Sequence, residues 1–163
     1  MHEHTSSLAV RARAALGAAC LALALGLAGA AGAARADGQP AAVEVEQIRD
    51  VIAAQLEAFQ RDDAQRAFSL ASPGIREKLG SPERFMAMVR EQYLPVYRAK
   101  KIQFREPFDM GDDEGVMQPA IVTGPDNVPV YAIYAVEQQE DGAWRISGCL
   151  LYPIVLEETG VST

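Results

Sequence analysis

The hydrophobic positions between residues 43 and 62 recur at helical spacing and predict one long amphipathic helix. Its apolar stripe consists of Ile48, Ile52, Leu56 and Phe59, flanked by Val45, Val51 and Gln55. Charged residues such as Glu46, Asp50 and Glu57 fall on the opposite side. A stripe of this length needs a large apolar surface to cover it. We therefore expect the rest of the domain to be organised around this helix.

Shorter helices are predicted between residues 64 and 93. Asp63 is a suitable N-cap for a helix over 64–70, and two Ser-Pro pairs begin the next two. The helix after Ser72 should end near residue 79, and the helix after Ser81 should run to about residue 93. Pro95 is expected to stop this last helix and to leave Val96 and Tyr97 extended.

After residue 101 the hydrophobic period changes from helical spacing to two, which is typical of strands. The predicted strands cover 102–108, 116–123, 128–139 and 143–156, separated by turn sequences. Pro119 suggests an edge or a bulge in the second strand, and Gly148 suggests a bulge in the fourth. Helices followed by strands predict a single α+β domain over residues 43–156. Its N-terminal helices should pack on one face of a curved, four-stranded antiparallel meander sheet.

The third predicted strand is apolar on both faces. Val130, Tyr134 and Val136 point one way, while Tyr131 and Ile133 point the other. The helices cover only one face of a sheet, so something else must cover the second. We expect a homodimer through this outer face, with the C-terminal segment folding back over it as the alternative.

The first 36 residues have the pattern of a secretory signal peptide. Arg11 and Arg13 precede an apolar run, and Ala34-Arg35-Ala36 offers small residues at the positions that a signal peptidase reads. An uncleaved membrane anchor is the alternative. Cleavage before Asp37 would leave a short disordered leader over 37–42, the folded domain, and a tail over 157–163. The expected location is periplasmic or secreted, with no stable membrane insertion after cleavage.

Charge and composition exclude several classes of function. The chain has a formal net charge of −7. The first 36 residues hold three arginines and one glutamate, so their removal leaves a charge of −9, which repels nucleic-acid backbones. Both histidines, His2 and His4, lie in that segment. Without a histidine or a glycine-rich phosphate loop, we expect no metal and no cofactor.

Three segments of the chain resemble a known bacterial family. They are IRDVIAAQLEAFQRDDAQRAFSLASPGIREKLG, FMAMVREQYLPVY and DGAWRISGC, in that order. Together they are similar to the family called domain of unknown function 4864. The resemblance implies a fold like that of the nuclear transport factor 2-like, cystatin-like group, a curved sheet wrapped around a long helix as a cone. It implies no activity, because that wider group contains isomerases, dehydratases, epoxide hydrolases and binding modules.

Aromatic side chains and two carboxylates are the candidate ligand-binding residues. The aromatic candidates, which would line the mouth of the cone, are Tyr93, Tyr97, Tyr131, Tyr134 and Trp144. Asp109 and Glu137 are the acids best placed to enter an apolar pocket, where the pKa of a carboxyl group would rise. No catalytic residue is assigned. Cys149, the only cysteine after the signal segment, lacks a histidine base and is expected to be a small buried hydrophobe.

These observations favour a small exported module with an internal apolar pocket that binds an apolar small molecule or a protein. One alternative is an isomerase, dehydratase or hydrolase in which Asp or Glu acts with a tyrosine. Another is a structural accessory subunit of a cell-envelope complex. The three differ in the pocket. An enzyme needs an inward carboxylate near a tyrosine, and a subunit needs an apolar patch on its outside.

Overall fold

The computed structural model describes residues 40–110 and 115–154. The chain divides into two units, 1–32 and 33–163, and every described residue lies in the second. Several expectations lie outside the described residues: the signal segment with its cleavage site, most of the leader, the turn over 111–114, and the C-terminal tail.

Five helices form the N-terminal part of the described chain. They are α1 (Ala42–Gln60), α2 (Ala64–Ser69), α3 (Pro73–Leu79), α4 (Pro82–Gln92) and α5 (Leu94–Tyr97). All three predicted N-caps are confirmed. The side chains of Asp63, Ser72 and Ser81 each accept a hydrogen bond from the backbone N–H three residues on. These caps fix where the short helices begin, and thereby the angle at which the chain turns after α1.

The segment after α4 differs from the prediction. Val96 and Tyr97, expected to be extended, belong to α5, and both are buried. Pro95 stands in the first turn of α5, where a fixed φ and a missing N–H are tolerated. The proline therefore ends one helix and begins the next, and the interpretation of Pro95 as the start of an extended segment was wrong.

The second half of the chain forms one antiparallel sheet, which confirms the α+β class. Its strands are β1 (Lys101–Phe104), β2 (Phe108–Asp109), β3 (Val116–Thr123), β4 (Pro129–Gln138) and β5 (Trp144–Pro153). The strand order is β1-β3-β4-β5, and β2 also pairs with β3. The first predicted strand is thus divided in two, and the other three pair in sequence as a meander.

The division between β1 and β2 explains why Pro119 is tolerated inside the sheet. β3 is paired on both sides, so the prediction of an edge strand there was wrong. The carbonyl of Pro119 accepts a hydrogen bond from Arg105 N at 2.9 Å, which places the missing N–H on the side where the partner strand is interrupted. The fully buried Gln118 amide donates to the carbonyls of Arg105 and Pro119 at 2.8 Å each. The buried amide thus closes the gap in the strand pairing.

A bulge in β5 sets which of its side chains face inward. Val136 pairs with Ile146 and Ala135 pairs with Gly148, so Ser147 is the extra residue. The predicted bulge in β5 is therefore confirmed, with the extra residue one position before Gly148. It brings Cys149 onto the same face of the sheet as Ile146, opposite Tyr134.

The core lies between α1 and the inner face of the sheet. Ile48 and Ile52 are completely buried, and Phe59 is 1% exposed. The amide of Gln55, also in the stripe, donates to the carbonyl of Ala67 at 3.1 Å. At the sheet, β5 is tied to the helices because Ile146 exchanges backbone hydrogen bonds with Leu70 and Ser72. The predicted central position of α1 is confirmed by this burial.

A polar cluster holds the end of α1 against α4 and α5. Asp62 adopts a left-handed backbone conformation, with a φ of 56°. Its carboxylate accepts hydrogen bonds from the Tyr97 hydroxyl, from Arg98 at 2.9 Å and from Arg90 at 3.4 Å. The hydrogen bond from Tyr97, followed by those from Arg98, lowers the pKa of the Asp62 carboxyl group. Three donors thus stabilise a backbone conformation that is unfavourable for a residue with a side chain.

The outer face of the sheet is apolar. Leu150 is 56% exposed and Tyr152 is 48% exposed, while Tyr131 and Ile133 are half-buried. Tyr131 pairs with Tyr152 and Ile133 pairs with Leu150, so the four side chains are neighbours. We call these four residues the outer patch.

The central position of α1 yields a prediction about stability. Leu56→Ala and Phe59→Ala should each lower the free energy of unfolding by about 2–5 kcal/mol, because each leaves a cavity at a buried site. Glu46→Ala, an exposed site on the same helix, should change it by less than about 0.5 kcal/mol. Urea denaturation measures all three values. Losses at Leu56 and Phe59 no larger than the loss at Glu46 would contradict the burial of the stripe.

Candidate functional site

One cavity lies between the helices and the strands β4 and β5, and its sheet side includes Tyr134 and Cys149 from the inner face as well as Ile133 and Leu150 from the outer patch. Its volume is about 560 Å³, within the usual range of about 300–1,000 Å³ for small-molecule sites. Residues from α1, α3, α4 and α5 form one wall, and residues from β3, β4 and β5 form the other.

The cavity wall is mostly apolar, with polar groups at its exposed end. The apolar side chains that the helices contribute are Phe59, Ile75, Leu79, Phe85, Met88, Val89 and Val96. Lys78, Gln92 and Leu150 are the exposed members of the wall and mark where the cavity meets solvent. Lys78 is the one charged residue among the described residues of the wall. An occupant would therefore gain chiefly from the burial of apolar surface.

Tyr134 is the polar group with the deepest burial in this wall. The residue is 1% exposed, and its hydroxyl oxygen is buried without a hydrogen-bond partner among the described residues. The Cys149 thiol opposite it is near enough to affect its pKa, but not in the geometry of a hydrogen bond. Burial, followed by this thiol, raises the pKa of Tyr134 well above its usual value. The hydroxyl is therefore neutral and able to donate a hydrogen bond.

The surroundings of Cys149 disfavour its thiolate form. The residue is half-buried and free, and burial raises the pKa of its thiol to about 12. The neighbouring Tyr134 hydroxyl lowers the pKa of the thiol and offsets only part of this rise. The thiolate is the nucleophile, so a general base would be needed to remove the proton from the sulfur. The chain after residue 4 contains no histidine to act as that base. The structure is consistent with the interpretation of Cys149 as a small hydrophobe.

No carboxylate lies among the described residues that line the cavity. The described segments also contain no group of three or more His, Cys, Asp or Glu side chains that could hold a metal ion. General acid–base chemistry by a paired carboxylate and tyrosine has no support in this wall.

The structure brings together two of the five predicted aromatic residues. Tyr93 and Tyr134 line the cavity. Tyr97 instead donates to Asp62 in the polar cluster, and Tyr131 belongs to the outer patch. Trp144 lies at a separate depression of about 370 Å³, where its indole N–H donates to Gln47 at 3.3 Å.

Neither predicted carboxylate is in the cavity wall. Asp109 is in the short strand β2 and pairs with Val116. Glu137 is half-buried in β4, opposite Arg145, and accepts a hydrogen bond from the side chain of Gln139 at 3.1 Å. Both lie among polar neighbours or near a strand end, where acids are common.

The site prediction omitted the helical half of the cavity. Phe85, Met88 and Val89 recur at helical spacing in α4, a pattern already visible in the sequence as an apolar face. The pattern shows that this face is covered. It does not show that the covering surface stands far enough away to leave a cavity, since that depends on the distance between α4 and the sheet.

The buried thiol yields a prediction about alkylation. At pH 8 iodoacetamide should modify Cys149 at least about 30-fold more slowly in the folded protein than in urea. The higher pKa reduces the thiolate fraction more than it increases the intrinsic nucleophilicity. Intact mass against time measures both rates. Equal alkylation rates in the folded and the unfolded protein would contradict the burial of the thiol.

The same pKa gives the direction of a pH effect on stability. The thiol ionises near pH 9 when unfolded and near pH 12 when folded, so its contribution to stability is complete below pH 9 and is lost as the pH rises toward 12. Cys149→Ala should reduce this alkaline loss.

Comparisons with known proteins give one match. No curated protein and no solved structure matches the chain. Among the described residues no helix is long and apolar enough to cross a membrane. The family described as domain of unknown function (DUF4864) matches residues 41–159, which include every described helix and strand. On this match, the chain belongs to the DUF4864 family.

Proposed function

We propose that this chain is an exported binding protein whose cavity holds one small apolar molecule. The observation that carries the proposal is the cavity of about 560 Å³ with mostly apolar walls. Small-molecule sites have this character, mostly apolar with few polar groups to fix orientation.

A binding role is favoured over acid–base catalysis by what lines the cavity. An acid–base enzyme needs a carboxylate within hydrogen-bond reach of the reacting atoms. The described wall holds none, and the two predicted carboxylates, Asp109 and Glu137, lie elsewhere.

Export is supported by the sequence alone. The positive residues Arg11 and Arg13, the apolar run and Ala34-Arg35-Ala36 follow the order of a cleaved secretory signal. A periplasmic or secreted location is therefore part of the proposal.

The proposal predicts saturable binding of a neutral apolar probe. N-phenyl-1-naphthylamine, which fluoresces when it leaves water, should bind the purified protein with a stoichiometry of one. Met88→Trp should weaken this binding at least about tenfold, because the larger side chain fills space that the probe needs. Fluorescence titration gives both affinities.

A matched control separates the cavity from the surface. Met110 is 44% exposed and is not part of the cavity wall, so Met110→Trp should leave the affinity unchanged. Absence of saturable binding, or equal weakening by the two tryptophan variants, would contradict the proposal.

We also propose that a second copy of the chain covers the outer patch. Tyr152 and Leu150 are about half exposed and adjoin Tyr131 and Ile133 across the strand pair. Contiguous exposed apolar residues of this kind are uncommon on monomers. A two-fold axis would place each patch against its own copy.

The dimer is tested by solution mass. Light scattering at micromolar concentration should give twice the mass of the chain, and Tyr152→Glu should reduce it to the monomer mass because a buried unpaired charge opposes association. Val43→Glu alters an exposed residue on α1 and should leave the dimer intact. A monomer mass for the unaltered protein at high concentration would rule the dimer out.

A further inference from the structure

The strand β5 is an edge of the sheet, and most of its outward side has no partner among the described residues. β5 stands last in the strand order, next to β4. On its other side Ile146 exchanges backbone hydrogen bonds with Leu70 and Ser72. After Ser72 the chain turns into α3, so this contact does not continue along β5. Within the described chain, residues 148–153 therefore form an open edge.

The register of the sheet shows which backbone groups of the open edge are free. The carbonyl of Pro119 bonds to the segment that follows β1, so Pro119 and Ile133 do not exchange hydrogen bonds. The backbone groups of Ile133 therefore point the other way and bond to Leu150. Bonding alternates along an antiparallel pair, so the N–H and C=O groups of Cys149 and Leu151 point away from β4. Each of these two residues offers one donor and one acceptor to an added strand.

The cavity lies along the same edge. It reaches residues of both faces of the sheet by passing around the edge strand, with Cys149 from the inner face and Leu150 from the outer patch in its lining. Gly148, which has no side chain to shield the backbone, is also part of the lining. Ile75 of α3 and Met88 of α4 stand on the far side. The open edge and the helices thus border one apolar space.

We propose that the open edge of β5 docks an extended peptide segment of a partner protein, with an apolar side chain of the segment inside the cavity. The segment would add about 20 Å of strand beside residues 148–153. The helices limit the occupant to a single chain, because a second copy would bring a whole sheet to the place where α3 and α4 stand. This proposal rests on the proposed binding function, since the side chain uses the space that the small apolar molecule fills. The peptide and the small molecule therefore exclude each other.

Charge defines the partner segment further. Edge strands that avoid pairing usually carry charged side chains, and residues 148–153 carry none. The bulge and Pro153 limit pairing only at the two ends of the open edge. Lys78, at the exposed end of the cavity, is the one charge among the described wall residues. We expect a segment with apolar residues at alternate positions and an acidic residue at the end that reaches Lys78.

Amide exchange followed by NMR tests the docking residue by residue. In the free protein the N–H groups of Cys149 and Leu151 should exchange faster than those of Leu150 and Tyr152, which are bonded to β4. Saturation with the synthetic peptide acetyl-TVTLTVTD-amide should slow exchange at Cys149 and Leu151 at least about tenfold. The rates at Leu150 and Tyr152 should stay unchanged.

Displacement of N-phenyl-1-naphthylamine tests whether the two occupants share the cavity. The peptide should displace the probe. The peptide acetyl-TATATATD-amide, with the same length and smaller side chains, should do so at least about tenfold more weakly, because it buries less apolar surface. The peptide acetyl-DTVTLTVT-amide has the acid at the opposite end, so the two orders should differ in affinity by about two- to fivefold. Lys78→Ala should remove this difference.

A pair of variants isolates the backbone donor. Leu151→Pro removes an N–H that faces the open edge and no hydrogen bond to β4, and proline is tolerated on the free side of an edge strand. It should weaken peptide binding about fivefold relative to Leu151→Ala, which loses the same packing and keeps the donor. Both variants should bind N-phenyl-1-naphthylamine alike, because Leu151 is not part of the cavity wall.

The outcomes separate this proposal from the function on which it rests. Binding of the probe with no slowing of exchange at Cys149 and Leu151 would overturn the proposal and leave the binding function standing. Slowing without displacement of the probe would overturn the shared use of the cavity. If exchange at these two residues is slow in the free protein and becomes fast on deletion of residues 157–163 or on dilution, the tail or a second copy holds the edge and the proposal is wrong. Failure of the peptides and the probe alike to bind would overturn the binding function as well.

Discussion

Burial of one face of α1 against the sheet is the interaction on which the rest of the domain depends. Ile48, Ile52 and Phe59 lose nearly all contact with solvent, and each such side chain contributes about 1.5–3 kcal/mol by leaving water. The other elements are placed relative to this contact. The Asp62 cluster holds the end of α1 to α4 and α5, and the Gln55 amide binds the carbonyl of Ala67 in α2. The cavity is the part of the space beside α1 that these elements do not fill.

The parts of the fold that depend on local chemistry could be predicted from the sequence. The period of α1, the three N-cap residues and the bulge at Gly148 are each determined by residues close together in the chain. Pro95 and Pro119 were misread because each has two structural explanations. A proline ends a helix or begins one, and it marks an edge strand or faces a gap in the partner strand. Only tertiary structure decides between them.

The candidate site was predictable only in part for a similar reason. The alternation of β4 predicts that Tyr131 and Tyr134 lie on opposite faces, and the structure shows that Tyr134 is the inward one. For β5 the phase after the bulge could not be known, so the pairing of Cys149 with Tyr134 was not foreseen. The placement of Tyr97 and Trp144 depends on hydrogen bonds to Asp62 and Gln47, distant residues that no local pattern identifies.

The hydrogen bond from Trp144 to Gln47 has a consequence for the order of folding. It joins residues 97 positions apart, near the beginning and the end of the described domain. β5 likewise packs against α1, so the first of the described helices has the last of the described strands as its partner. Such distant pairings slow folding, because the chain loses the entropy of a long loop before the contact compensates for it. While synthesis is incomplete, the stripe of α1 is left without its final partner and stays available to a chaperone.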